Sequence, residues 1–409
     1  MLLKNNFLNI MNKSFIAAIA VCFASVVMAN AQVAIKTDAG DFKLTFKGRT
    51  HFDAGVYSGD LGKTNDHATN KISMNDTRLG VIASYDEKWS SKIEVRFSNS
   101  KATFTDLFVG YKFSDNSSLQ VGNYWMPFGY KILGPAYRFI QNSSIDEAVN
   151  ANSRRMGVMY TYNSDIFRLQ AGVFSDGDVN NAGENQGYNI SAKAIVRPIL
   201  EENRVLHFGV APLFTHTPIT TNFDTKSLTQ GKRITLLPKS FASDEQYNMF
   251  RGEVEAIFIS GKFYAEGRYQ HAQINTPNVR RVVEKVEAEE VETFLPNENE
   301  KIGGFFVQAG FLLIGDHQNY NKSNAYATNL SPKNLELIAR FGNVSYNRGK
   351  DWGTSQNDIT VGLNYAFNKY LLARINYAHG QSHAENSDYD KVLEKSNYNS
   401  VEARLQFVF

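Results

Sequence analysis

Residues 401–409, VEARLQFVF, end the chain, and their alternation decides how the rest is read. Val401, Ala403, Leu405, Phe407 and Phe409 fall on one side of an extended segment, and Glu402, Arg404 and Gln406 on the other. A period of two is a strand with one apolar and one wet face; a helix would need a period near 3.6. The same alternation recurs upstream. Phe42, Leu44 and Phe46 oppose Lys43, Lys47 and Arg49; Ile93, Val95 and Phe97 oppose Lys92, Glu94 and Arg96; Leu337, Ala339 and Phe341 oppose Glu336 and Arg340; Ile375 and Tyr377 oppose Arg374 and Asn376.

Carried along the chain, the pattern predicts strands near 42–57, 72–85, 89–99, 103–113, 118–126, 154–163, 165–174 and 187–197, then near 204–214, 247–258, 261–272, 302–314, 334–345, 357–367, 370–379 and 398–409. About sixteen strands, an even number, suit a transmembrane antiparallel β-barrel. The connections alternate in length as such a barrel requires. Those at 86–88, 114–117, 163–164, 260 and 368–369 are short, as periplasmic turns are, and between them lie long segments at 58–71, 127–153, 175–186, 215–246, 273–301, 346–356 and 380–397, as extracellular loops are. Two connections break the rule: 100–102 is short on the long-loop side, and 315–333 is long on the short-turn side.

Composition agrees. With 409 residues, 43 Lys and Arg against 41 Asp and Glu, one cysteine and nine prolines, the chain is neither a disordered nor a disulfide-stapled protein. Its 49 Tyr and Phe residues form too much aromatic surface for a strand protein in water unless one face meets lipid. Beyond the leader there is no apolar run of the roughly 18 residues that a membrane helix needs. The leader itself has Lys4 and Lys13, an apolar stretch from Ser14 to Met28, and Ala29-Asn30-Ala31 as a small-residue cleavage site. We read residues 1–31 as a signal peptide and 32–409 as one barrel domain. Cys22 lies in the leader, and without it the chain carries 41 bases and 41 acids.

In a membrane barrel the wet face lines a lumen. By parity the bases on that face are Lys43, Lys47, Arg49, Arg78, Lys92, Arg96, Lys112, Arg155, Arg168, Lys193, Arg197, Arg251, Arg268, Arg340, Arg374 and Arg404. The acids are Asp53, Asp76, Glu94, Asp106, Glu253, Glu255, Glu266, Glu336 and Glu402, so sixteen bases face nine acids, an excess of seven. The compensating acids gather in the segment 273–301, at Glu284, Glu287, Glu289, Glu290, Glu292, Glu298 and Glu300. A basic lumen within low-dielectric walls concentrates anions. Tyr57, Tyr85, Tyr111, Phe113, Tyr162 and Phe367, near strand ends, suit aromatic girdles at the membrane surfaces.

No HExxH or GxSxG motif is present, and we expect neither an enzyme, nor a cofactor, nor a metal. His379 and His383 are spaced as on a helix but lie in a strand-and-loop context, and Asp176-Gly177-Asp178 opens like a calcium loop without its glycine or its closing glutamate.

Several motifs together resemble the phosphate-selective porin O and P family. They are Asn75-Asp76-Thr77-Arg78-Leu79-Gly80, the run Phe104 to Gly110, the hairpin Gly122 to Gly129 with Pro127-Phe128-Gly129, and Arg154-Arg155-Met156-Gly157. Further on come Gly304 to Phe311, Leu335 to Arg340, Gly362 to Tyr365, Ile375-Asn376-Tyr377 and Arg404-Leu405-Gln406. The hairpin departs from the family in carrying Trp125 where a lysine is common. The resemblance implies a sixteen-stranded bacterial outer-membrane porin, a homotrimer, with 127–153 as an inward-folded constriction loop and Lys131, Arg138, Asp146 and Glu147 as its charged candidates. It also implies that the terminal Phe409 serves the barrel assembly machinery. The expected function is passive diffusion of small solutes, with preference for anions and phosphate or polyphosphate as candidate solutes. A general non-selective porin, and a surface-interaction barrel using the acidic loops, are the alternatives.

Overall fold

The computed structural model describes residues 32–37, 40–59, 70–74, 76–98, 101–129, 138–149, 154–181, 187–217, 222–223, 226–228, 233–235, 241–242, 247–275, 279–286, 289–296, 300–348, 352–385 and 395–409. Residues 1–31, expected from the sequence to be a signal peptide, and Lys131 lie outside them. Sixteen strands form the wall: β1 (Gly40–Gly59), β2 (Asn70–Met74 continued by Thr77–Tyr85), β3 (Trp89–Ser98), β4 (Lys101–Lys112), β5 (Ser117–Trp125), β6 (Arg154–Asn163), β7 (Phe167–Ser175), β8 (Tyr188–Leu200), β9 (Arg204–Thr217), β10 (Tyr247–Ser260), β11 (Phe263–Asn275), β12 (Glu300–Ile314), β13 (Leu335–Arg348), β14 (Trp352–Ala366), β15 (Leu371–Glu385) and β16 (Lys395–Val408). Each pairs antiparallel with its neighbours in sequence. β16 returns to β1 through eleven pairs, from Arg49 opposite Val408 to Gly59 opposite Tyr398, so the sheet has no open edge. The further strand Gln32–Thr37 pairs with Thr45 to Gly40 of β1, on the line that β16 leaves at Phe409.

The two faces separate as alternation demands. On β16, Leu405 is 44% exposed and its neighbour Arg404 4%. The outward set, including Phe208, Val254, Val307, Ile359 and Ile375, is apolar and exposed, as a lipid-facing wall must be. Tyr85, Phe113, Tyr162 and Phe367 stand outward and exposed at the short-turn end, where Trp89 and Tyr111 (centroids 4.7 Å apart) and Tyr365 and Phe367 (4.8 Å) pack edge to face. Tyr57 departs from the girdle expectation. It lies on the inward parity of β1, is buried, and its hydroxyl donates to Glu402 Oε1 at 2.9 Å; a tyrosine satisfied by a carboxylate belongs to the lumen.

Local irregularities follow local chemistry. Asp86 and Glu87, both with positive φ (50° and 55°), make the tight turn between β2 and β3. A bulge between β3 and β4 lets consecutive residues Thr105 and Asp106 both be buried. Gly122, in β5, has φ of +136°, and a Cβ there would stand 2.3 Å from the Leu107 carbonyl oxygen. The short connection after β3 is real, since pairing runs on to Ser98 opposite Lys101. The long one is real too: residues 315–334 carry a small strand pair, Tyr320–Asn321 with Tyr326–Ala327.

Candidate functional site

The site is the barrel interior, and two segments enter it. From the long-loop end comes 138–149, which contains α1 (Ser144–Ala148), capped by Ser143. From the short-turn end comes 315–334.

The first segment is fastened to β10–β16. Ile140 N–H donates to Asn376 Oδ1 (2.6 Å) and Gln141 Nε2 to Ser400 Oγ (2.5 Å). Ser144 Oγ donates to Asp358, and Gln270 Nε2 to Asp146 Oδ1 (2.9 Å). Arg340 donates to the carbonyls of Gln141 and Asn142 (3.1 and 3.0 Å), and Arg251 to that of Val149 (3.2 Å). Ile145, Ala148 and Val149 pack with Met126, Phe128, Met159, Phe174, Leu213 and Phe306.

The second segment runs along the inner wall. Gln318 bonds Glu336 (2.9 Å) and Tyr320 bonds His207 (2.9 Å). Arg197 donates to the Lys322 carbonyl (2.7 Å) and Arg168 to that of Ser323, while Lys322 pairs with Asp165 in the turn between β6 and β7. Ala327 and Tyr320 pack with Phe139, Val205, Ile257, Ile259, Tyr264 and Ile338. The two segments meet at Arg138, which pairs with Glu336, donates to Gln318 Oε1 (2.9 Å) and to the Thr328 carbonyl (3.1 Å), and lies 4.2 Å over the Tyr264 ring.

Charge on the inner wall is organised in ion-pair clusters. One crosses β1 to β6: Arg49 to Asp76 (2.5 Å), Asp76 to Arg78 (2.6 Å), Arg78 to Glu94 (3.0 Å), Glu94 to Lys92 (3.0 Å), Lys92 to Asp106 (2.5 Å) and Asp106 to Arg154 (2.7 Å). Another crosses β8 to β11: Lys193 holds Glu253 and Glu255 (3.0 and 2.7 Å), and Arg268 holds those two and Glu266 (2.9, 2.6 and 2.9 Å). Arg404 makes a bidentate pair with Asp53 (2.6 and 2.8 Å) across the closing seam. Arg374 donates to Gln406 (2.7 Å). Arg155 bonds the Arg154 carbonyl (3.0 Å) and lies 3.9 Å from Asp176.

In the loop, burial pushes the Asp146 carboxyl up to about 6 even though Arg268 pulls it down. On the short-turn side the hydrogen bond and charge of Lys322 hold Asp165 below the ordinary carboxylate range, and burial raises the Tyr320 phenol.

The inward charges differ in part from those that alternation predicts. Lys43, Lys47 and Lys112 keep the inward parity but lie exposed at the short-turn rim, too near the strand ends to be enclosed. Arg154, absent from the inward bases, joins the first ion-pair cluster and stacks 4.3 Å over Trp125; as the first residue of β6 it is not bound by the parity of Val158 and Tyr160. Asp358, omitted from the acids, faces inward from β14. With the loop residues Arg138, Asp146 and Glu147 counted, fifteen bases face twelve acids among the described residues, so the excess is three rather than seven. Within that set Arg96 is unlike the rest. It is half-buried on β3 and has no carboxylate partner among the described residues. Also among the described residues, no group of three or more His, Cys, Asp or Glu is arranged to hold a metal ion.

Residues 44–409 match the family described as phosphate-selective porin O and P. No curated protein matches the chain. Solved structures with the same fold include a loop-deletion form of OmpT, an outer-membrane protein of Vibrio cholerae (14% identity, TM-score 0.56, covering 90% of this chain and 100% of that one). They also include the outer-membrane channel DcaP of Acinetobacter baumannii (14%, 0.55, 92% and 100%) and an anion-selective porin from Comamonas acidovorans (13%, 0.54, 90% and 100%). At these identities the likeness is one of fold.

Proposed function

The chain belongs to the phosphate-selective porin O and P family and is an outer-membrane porin, and from that premise we propose that it passes small solutes down their gradient with a weak preference for anions. The observation that carries this is Arg96, a lumen-facing base that is half-exposed and has no carboxylate partner among the described residues, within a wall where most other charges are paired. A single cationic side chain in a confined, low-dielectric passage raises the local anion concentration, while an overall excess of three argues for a modest effect. The candidate bases divide by role in this reading. Arg168, Arg197, Arg251 and Arg340 hold backbone carbonyls and fix the two inward segments; Lys92, Arg96 and Arg155 act on the solute; Arg138, with Asp146 and Glu147, sets the constriction.

Phosphate is a candidate solute, because most guanidinium groups being already bonded favours weak, exchangeable binding over a trap. A homotrimer is the assembly we propose, since a related outer-membrane protein of V. cholerae is described in a trimer form. Planar-bilayer recording tests the reading. In a KCl gradient the reversal potential should show anion preference, Arg96→Gln should move it towards zero, and phosphate should reduce chloride current in the parent more than in the variant. Cation preference in the parent would overturn the proposal, and a zero reversal potential would make the protein a general porin.

A further inference from the structure

The inner face is not uniformly covered. On β9 to β14 every inward side chain whose burial is described is buried, from Val205 on β9 to Ala366 on β14. The two apolar clusters explain this, because the inward segments 138–149 and 315–334 pack against that side of the wall, the first of them reaching also Met159 of β6 and Phe174 of β7. Across the barrel the covering is only partial, with Met159, Arg168 and Phe174 buried. On β3 to β7 the inward Lys92, Arg96, Gln120, Arg155, Thr161 and Gln170 are all half-buried. Gln120, Thr161 and Gln170 are neighbours: Gln120 stands opposite Met159 of β6 and Thr161 opposite Gln170, whose amide lies 3.5 Å from the threonine hydroxyl.

We propose that the solute path is eccentric: it runs along the inner face of β3–β7, with Arg96, Gln120, Thr161 and Gln170 as the side chains that touch the passing solute, while the β9–β14 side is a packed core. The proposal rests on the porin reading and deepens it. β3 and β5 run towards the loop end, and β6 runs away from it, so Arg96 stands nearer the extracellular mouth and Gln120 and Thr161 nearer the periplasm. An entering anion meets the cationic group first and hydroxyl and amide groups afterwards. Those neutral groups exchange hydrogen bonds with a moving solute without trapping it.

Single cysteines test this, because the sequence has one cysteine, Cys22, in the leader segment. Gln120→Cys and Thr161→Cys report the path; Thr360→Cys on β14 and Ser191→Cys on β8, which borders the packed side, at positions 0% and 1% exposed, report the closed wall. The assembled protein is treated with a small anionic methanethiosulfonate, with labelling read by mass and conductance in bilayers. Heat-modifiable migration confirms assembly of each variant, and Gln170→Cys replaces either path variant that does not assemble. We expect labelling at 120 and 161 and a conductance drop of twofold or more, with neither change at 191 and 360. Labelling of 360 and 191 as fast as 161, no labelling at 161 and 120, or labelling there without loss of current would each overturn the proposal. A parent without conductance would instead refute the porin reading, and the labelling pattern would still decide where the open sector lies.

Discussion

Arg138 joins the extracellular segment, the periplasmic segment and the wall, and replacing it by methionine isolates what that junction contributes. Glu336, its partner, is fully buried, and in the variant its remaining donors among the described residues are amides, Gln318 Nε2 at 2.9 Å and Asn364 Nδ2 at 3.0 Å. Removing one member of a buried pair costs about 3 to 5 kcal/mol, because a charge is left without its counter-ion. With two donors remaining, the low end applies. Methionine also keeps an apolar contact with the Tyr264 ring, over which the guanidinium now lies at 4.2 Å. About 3 kcal/mol is a change on the order of 100-fold in the population of a locally opened segment. Chymotryptic cleavage after Phe139, a fully buried residue of the same segment, reads that population directly. Arg138→Met should raise the cleavage rate about 100-fold and widen the distribution of single-channel conductance. Adding Glu336→Gln removes the stranded charge and should recover most of the loss. A change in cleavage below about threefold, or a double variant no better than the single, would refute the idea that this pair holds the two segments together.

Asp146 gives a pH dependence. Its folded value of about 6 lies above the ordinary 3.8, so the fold favours the protonated form; its own contribution to stability is greatest below about pH 4 and falls as pH rises through 6, by about 3 kcal/mol in all. Asp146→Asn should therefore raise the thermal midpoint at pH 8 and leave it unchanged at pH 4, as followed by heat-modifiable migration. Val254→Arg places a charge on the lipid side of β10, where the valine is 54% exposed, and should cost about 2 to 4 kcal/mol in denaturant unfolding from vesicles. Gly122→Ala should sharply reduce the yield of assembled barrel, since its φ of +136° and the Leu107 carbonyl at 2.3 Å both oppose a Cβ; Gly267→Ala, where a Cβ meets nothing nearer than Val307 at 3.7 Å, should assemble normally.

Alternation made the wall readable. An outward residue such as Leu405 or Ile375 must be apolar to face lipid, so each strand states its own orientation. The rule weakens where its cause weakens. At strand ends the side chain is free to turn, which is why alternation leaves Arg154 out of the inward bases although it pairs with Asp106 within. Tyr57 was ambiguous because tyrosine suits both a membrane surface and a carboxylate partner, here Glu402. The length of 315–333 marks an irregularity, but nothing local says that Lys322 and Ser323 will end beside Arg197 and Arg168, because those contacts are set by the closed wall. The same holds for charge. Parity finds which bases face inward, whereas their neutralisation depends on cross-strand neighbours such as Arg78 and Glu94, and on bulges that single sequences do not mark.

The seam between β1 and β16 makes the barrel a hoop whose fastening joins the two ends of its own thread. Arg404 reaches Asp53 across 351 positions of chain. Relative to a hairpin of some twenty residues, bringing such distant positions together costs about 2.5 kcal/mol more in chain entropy, since the penalty grows only with the logarithm of length. Eleven facing residue pairs and a bidentate charge pair outweigh that sum, so the fastening is thermodynamically ordinary. Its demand is one of timing: no stretch of the chain short of the whole can close, and until Tyr398 to Val408 lie along β1 both margins of the sheet stay bare.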